Sequence, residues 1–160
     1  MRGLPRRRPT VMTLTVERVP ADRTYPLRQH VLRPHETLGQ LVLPGDDDPE
    51  SGHFVAIEAG DVVGTASARR EPPPWVRDAA LAWRLRGMAT AEGQRSRGIG
   101  SAVLDAALEH VREHGGGLVW CNARVPAVRF YERAGFVTRG ESWVDLVIGP
   151  HIAMERTVAP

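Results

Sequence analysis

The segment Arg95-Ser96-Arg97-Gly98-Ile99-Gly100 does more than any other to limit the folds open to this 160-residue chain. Ahead of it, Trp83–Thr90 reads as a strand. Behind it, Leu104, Ala107, Leu108 and Val111 recur at i, i+3, i+4 and i+7 and give Ser101–His114 one apolar helical face. Glycines at 98 and 100 let the backbone turn tightly and come close to a ligand. The N–H groups of the loop and first helical turn then lack internal partners, and phosphate oxygens satisfy them at the positive end of the helix dipole. Arg95 and Arg97 can add charge-assisted hydrogen bonds. A plain glycine turn capped by solvent fits the same residues, so the local sequence leaves both readings open. Two commoner phosphate readers are excluded. The chain has no G-x-x-x-x-G-K-[ST] and no lysine with which to complete it. A dinucleotide site wants a third glycine where Val103 stands and an acid after the next strand, which here ends Trp120-Cys121-Asn122.

The rest of the chain alternates strands and helices around this segment. Thr13–Val19 suits a strand, and Tyr25–Arg33 a short helix stopped by Pro34. Pro44–Gly52 is a polar loop rich in breakers. His53–Glu58 and Val62–Ala68 read as a hairpin turning at Ala59-Gly60-Asp61, and Glu71-Pro72-Pro73-Pro74-Trp75 interrupts regular structure. Gly115-Gly116-Gly117 stops the long helix, Leu118–Asn122 is an apolar strand, and Pro126–Ala134 a helix with proline in its first turn and Gly135 past its end. Trp143–Ile148 and Ile152–Thr157 close the chain as strands around Gly149-Pro150. This order predicts an α/β (α+β) domain with a mixed sheet and helices packed on it.

Composition sets outer limits. At 42% hydrophobic and 25% charged, the chain is ordinary for a globular protein of one core. No apolar run approaches the ~18 residues of a membrane-spanning helix, and no secretory signal is evident. Cys121 has no second cysteine to pair with, so a cytoplasmic location is expected. All 21 basic residues are arginine, and Arg2, Arg6, Arg7 and Arg8 precede the first acid, Glu17. Without those four the formal net charge of +2 becomes −2. Residues 1–11 are accordingly read as a flexible arginine-rich leader and 12–160 as a single domain; nucleic acid and membrane are not expected partners.

Two motifs then carry a resemblance. Arg95-x-x-Gly98-x-Gly100 resembles the coenzyme A loop of the GNAT superfamily of N-acetyltransferases. Phe130-Tyr131-Glu132-Arg133-Ala134-Gly135-Phe136 resembles that superfamily's F-Y-x-x-x-G-F signature, at the right separation with one helix and one strand between. The match is good over about Leu85–Phe136, and small bacterial members are the most similar in character. The resemblance implies a mostly antiparallel central sheet of six or seven strands flanked by about four helices. It implies acetyl-CoA as cosubstrate, no metal, and direct acetyl transfer to a primary amine of a small molecule or protein; a homodimer is compatible with it. Met88, Ala89 and Thr90 would offer backbone groups to the pantetheine amides, in a strand that splays from Leu118–Asn122. Arg95, Ser96, Arg97, Gly98, Ile99, Gly100 and Ser101 would hold the pyrophosphate. Arg124, Phe130 and Arg133 would line the adenosine and pantetheine side, and Tyr131 would protonate the departing thiolate. This sequence departs from the family pattern at Ser96, often glycine, and at Arg124, often asparagine. It also has no carboxylate in Leu85–Thr90, where several members carry a general base.

The chemistry agrees with those roles. Attack of a neutral amine on a thioester creates an oxyanion, for which a backbone N–H near Met88 is suited, and then expels a thiolate. A phenol is reasonably matched to that thiolate in pKa. Glu71 is the candidate base, though a solvated loop acid fits it as well. Arg28, His53, Trp75, Trp143 and His151 are candidates for the acceptor side, each with a structural alternative as a surface ion pair, hydrogen-bonded histidine or core cover. Asp145, between Val144 and Leu146, is read as facing solvent by alternation. The missing base also admits a non-catalytic acyl-CoA-binding or regulatory module on the same scaffold.

Overall fold

A computed structural model describes residues 13–77, 81–94 and 98–160. Strand β1 (Thr15–Arg18) leads through a 3₁₀ turn (Ala21–Thr24) into helix α1 (Tyr25–Leu32), and a second 3₁₀ turn follows at Leu38–Leu41. Strands β2 (Gly52–Glu58) and β3 (Asp61–Arg70) form a hairpin. Its two-residue turn places Ala59 and Gly60 at φ of 51° and 83°, the twist that suits a tight hairpin. Then come β4 (Trp83–Thr90), α2 (Ile99–Glu113) and β5 (Gly117–Arg124). A 3₁₀ turn (Val125–Ala127) runs into α3 (Val128–Arg133), and β6 (Val137–Asp145) and β7 (Gly149–Val158) complete the chain. The seven strands make one sheet in the order β1-β2-β3-β4-β5-β7-β6, antiparallel throughout except for β4 beside β5. No helix among the described residues is long and apolar enough to cross a membrane.

Hydrophobic periodicity explains the core. The stripe read from the sequence on α2, Leu104, Ala107, Leu108 and Val111, is buried with Val103 against Phe54, Ala66, Leu85 and Val119 of the sheet. Each buried valine, leucine or phenylalanine among them contributes roughly 1.5–3 kcal/mol. Trp83 is fully buried in the same layer. Alternation along β4 sends its other residues, Arg84 and Arg86, to the opposite face, on the side where α1 packs on β4 and β3.

Two expectations are corrected. The strand placed at Trp143–Ile148 is β6 at Val137–Asp145, and the turn falls at 146–148 rather than at Gly149-Pro150. Asp145 causes this: its Oδ1 accepts the N–H groups of Val147 and Ile148 at 2.8 and 3.0 Å and closes the turn. Pro150 is tolerated because it sits in the opening residues of β7, before pairing with β5 begins at His151. The helix expected at Pro126–Ala134 is divided between a 3₁₀ turn and α3; with it the described residues hold three α-helices and three 3₁₀ turns.

Candidate active site

The site arises where two neighbouring strands stop pairing. Strands β4 and β5 pair in parallel only at Trp83–Val119 and Arg84–Trp120, and beyond those residues they part. A second irregularity turns β4 outward at the same level. Thr65 of β3 faces Ala89 and Ser67 faces Arg86, so Gly87 and Met88 together oppose the single residue Ala66. Gly87 takes φ +61°, a left-handed conformation that glycine adopts more readily than residues with a Cβ. Its carbonyl accepts the Thr65 hydroxyl at 2.7 Å.

The parting opens a cavity of about 310 Å³. Arg84 to Met88 form one wall, and Cys121, Asn122 and Arg124 the other. Tyr131 and Ala127 close one side, and Trp143, Asp145 and His151 of the last hairpin close another. Tyr131 is buried, edge-on to Phe130 and Phe136 with ring centroids at 5.1 and 5.6 Å. Burial holds its phenol well above the usual tyrosine pKa. The same burial pushes the neighbouring Cys121 thiol up to about 12.

His151 is buried and stacks on Trp143 at 5.8 Å and 19°. Its Nδ1 lies 2.8 Å from the Gly149 carbonyl. A carbonyl only accepts, so Nδ1 carries a proton, and the lone pair of the ring, when it is neutral, sits on Nε2. Asp145, expected to face solvent alone, lines the cavity rim. The Ile148 and Val147 N–H groups hold its carboxyl below the usual range, and Arg33 and His151 lower it further.

At the far end of β4 stands the N-terminus of α2. Gly98 is its N-cap at φ +79°, and no side chain among the described residues caps the first turn. The N–H groups of Ile99, Gly100 and Ser101 are thus of the kind that accept an anion. The Ile99 side chain is buried in the core, so only its backbone is available. Gly100 lies under the Phe130 ring and beside the Thr90 hydroxyl, which brings the two sequence motifs together. Ala89 is buried, and Arg133 is exposed at the end of α3. Arg124 donates to the Leu32 carbonyl at 2.9 Å, tying β5 to the end of α1. Arg95, Ser96 and Arg97, like the leader, lie outside the described residues.

Four candidates do not line the cavity. Glu71 is held by Arg69 Nη2 at 2.7 Å and Arg84 Nη1 at 3.2 Å. Burial pushes its carboxyl up, but the two guanidiniums outweigh that and keep it below the usual carboxylate range. A carboxylate so engaged orders arginines and is a poor base. His53 contacts Ser67 Oγ at 2.7 Å and the Asp46 carbonyl at 2.8 Å, so both ring nitrogens are occupied. Trp75 donates to Glu155 Oε2 at 3.1 Å and meets Trp120 edge-on at 5.6 Å. Arg28 is buried beneath Gly87, where an added Cβ would come within 2.8 Å of its Nε. Conversely, Arg84 and Arg86 were not singled out from the sequence. Their signal was present: in Trp83-Arg84-Leu85-Arg86, charge alternates with core residues in a strand that has neighbours on both sides.

Comparison with known proteins is consistent over most of the chain. Residues 19–136 match the model of the acetyltransferase (GNAT) family. The chain is 34% identical over 145 residues to the uncharacterized N-acetyltransferase YitI of Bacillus subtilis (strain 168), covering 91% of this chain and 97% of that one. Among solved structures, Ard1 from Thermoplasma volcanium superposes with a TM-score of 0.72 at 25% identity, covering 92% and 99% of the two chains. An aminoglycoside 6'-N-acetyltransferase complexed with coenzyme A gives 0.66 at 15% identity, covering 91% and 98%.

Proposed function

The chain belongs to the GNAT family of acetyltransferases, and we propose that it moves an acetyl group from acetyl-CoA directly to an amine in the cavity between β4 and β5. The observation that carries this reading is the early end of β4–β5 pairing, which leaves a walled opening between Tyr131 and His151. The residues present suit acetyl-CoA. The uncapped first turn of α2 fits the diphosphate, and the unpaired edges of β4 beyond Met88 and β5 beyond Trp120 fit the pantetheine amides. The solved relative with coenzyme A bound is consistent with that use of the fold. Bound there, acetyl-CoA supplies a thioester, a carbonyl carbon open to attack by a neutral amine.

The chain's own groups divide the proton work. His151 Nε2, held as a lone pair by the Nδ1–Gly149 contact, takes the proton from the amine. It fills the role that Glu71, bound by two arginines, cannot. A backbone N–H near Met88, at the β4 bulge, would stabilise the oxygen on which negative charge develops. Tyr131 donates its proton to the departing sulfur.

The deciding experiment is thiol release from acetyl-CoA by the purified protein with a panel of small amines, peptides and aminoglycosides. Amine-dependent release supports the proposal. Coenzyme A binding with no release for any amine would instead favour a binding or regulatory module.

A further inference from the structure

We propose that the acceptor amine carries a carboxylate and that Arg86 receives it; this rests on the acetyl-transfer reading above. The cavity is lined by four arginines, Arg33, Arg84, Arg86 and Arg124, against one carboxylate, Asp145. These cations are not equivalent. Arg124 is engaged with the Leu32 carbonyl. Arg84 shares Glu71 with Arg69 and lies over the Trp120 ring at 4.7 Å. Arg86 makes no side-chain hydrogen bond or ion pair with any described residue, although it is half-buried. Burial, with Arg84 and Arg69 beside it, brings its guanidinium down to about 10. Arg84 adds a further unmet donor, since its Nε is buried with no partner. The one carboxylate that acts on Arg86 is Glu71, already held by Arg69 and Arg84, so this half-buried guanidinium has no hydrogen-bonded counter-ion among the described residues, and a ligand carboxylate would offset the cost of burying it.

Coenzyme A's phosphates do not account for this charge. Arg86 precedes Thr90 by four strand residues, about 13 Å, and the α2 N-terminus lies beyond Thr90 at the opposite end. Arg86 instead sits immediately before the bulge at Gly87-Met88, where β4 turns into the cavity. A planar guanidinium with free donors there matches a carboxylate in two parallel hydrogen bonds. Asp145 on another wall gives the cavity a negative pole, so an amine and an acid in one molecule find complementary ends.

The test uses N-acetylated products, which removes differences in amine basicity. N-acetylglycine, N-acetyl-β-alanine and N-acetyl-4-aminobutyrate are titrated calorimetrically into the protein with and without saturating coenzyme A, each beside its neutral amide. At least one acid should bind about ten-fold or more tightly than its amide. Arg86→Gln should remove that advantage, Arg86→Lys should keep part of it, and neither should alter coenzyme A affinity. Equal binding of acids and amides along the whole series, or an acid preference that survives in Arg86→Gln, would overturn the proposal. Failure of coenzyme A to bind wild-type protein would instead sink the acetyl-transfer reading, and the acid–amide comparison without coenzyme A still decides for Arg86.

Discussion

Two side chains at opposite sides of the cavity take the proposed chemistry, and burial acts on the phenol of one of them. Tyr131 is in an apolar wall that disfavours its anion, so its pKa is raised. A proton donor is lost as pH rises through its pKa; raising that pKa moves the loss to higher pH. Tyr131 should therefore cause no fall in kcat up to about pH 10. Tyr131→Phe should lower kcat ten-fold or more, with acetyl-CoA affinity nearly unchanged and the pH profile of the same shape. Unchanged turnover would remove Tyr131 from the reaction. His151→Gln should cost about ten-fold or more in kcat while coenzyme A still binds by calorimetry, and retention of full activity would return the base to the unidentified. Glu71 makes a different prediction, about stability. Its folded pKa lies below the unfolded value, so the unfolded chain binds the proton first and the stabilisation is full above the unfolded pKa. It is lost as pH falls through the folded value. Glu71→Gln should lower stability at pH 7 by about 1–2 kcal/mol and flatten the loss between about pH 5 and 3, measured by urea unfolding across pH. The place of Tyr131 in the cavity wall was legible from the sequence because it stands inside a motif. Arg86 was not, because its importance lies in what fails to pair with it, and only tertiary neighbours reveal that.

Among the elements, β4 decides the most. A regular strand there would continue its ladder with β5 and leave no opening; the bulge at Gly87-Met88 prevents this. Gly87 is held at positive φ over the buried Arg28 guanidinium, with no room for a methyl group. Gly87→Ala should destabilise the protein by about 1–3 kcal/mol and reduce kcat more than a surface substitution of equal thermal effect, as paired melting and turnover measurements would show. A variant that melts lower yet turns over normally would separate the bulge from the chemistry. Elements with one dominant period were legible: α2, the β2–β3 hairpin and β4 fall within about two residues of expectation, since a 3.6- or 2-residue repeat fixes both type and buried face. The last hairpin was misread because its strands are set by side-chain capping at Asp145 more than by hydrophobic alternation. Almost all of β6 is exposed, so its sequence carries no inward period to read. The bulge itself left only a glycine as its trace, and a lone glycine in a strand has several meanings.

At the scale of the molecule, the sheet consists of two parts that meet weakly. Strands β1 to β4 form one, and β5, β7 and β6 the other, with two paired residue positions between them. A ligand lying along both free edges would serve as part of the missing ladder, and its effect should therefore reach beyond its contacts. At about 100 times its dissociation constant, coenzyme A should stabilise the fold by roughly 2.7 kcal/mol. For a chain of this size that raises Tm by roughly 5–10 °C. The location of the effect is more telling than its size. Adenosine 3'-phosphate 5'-diphosphate, which keeps the diphosphate but lacks the pantetheine arm, should slow amide exchange at the start of α2 alone. Coenzyme A should in addition protect Met88–Thr90 on β4 and Asn122–Arg124 on β5, while the β2–β3 hairpin stays as it was. If both ligands gave the same protection map, the arm would not be bridging the strands, and the opening between β4 and β5 would need another occupant.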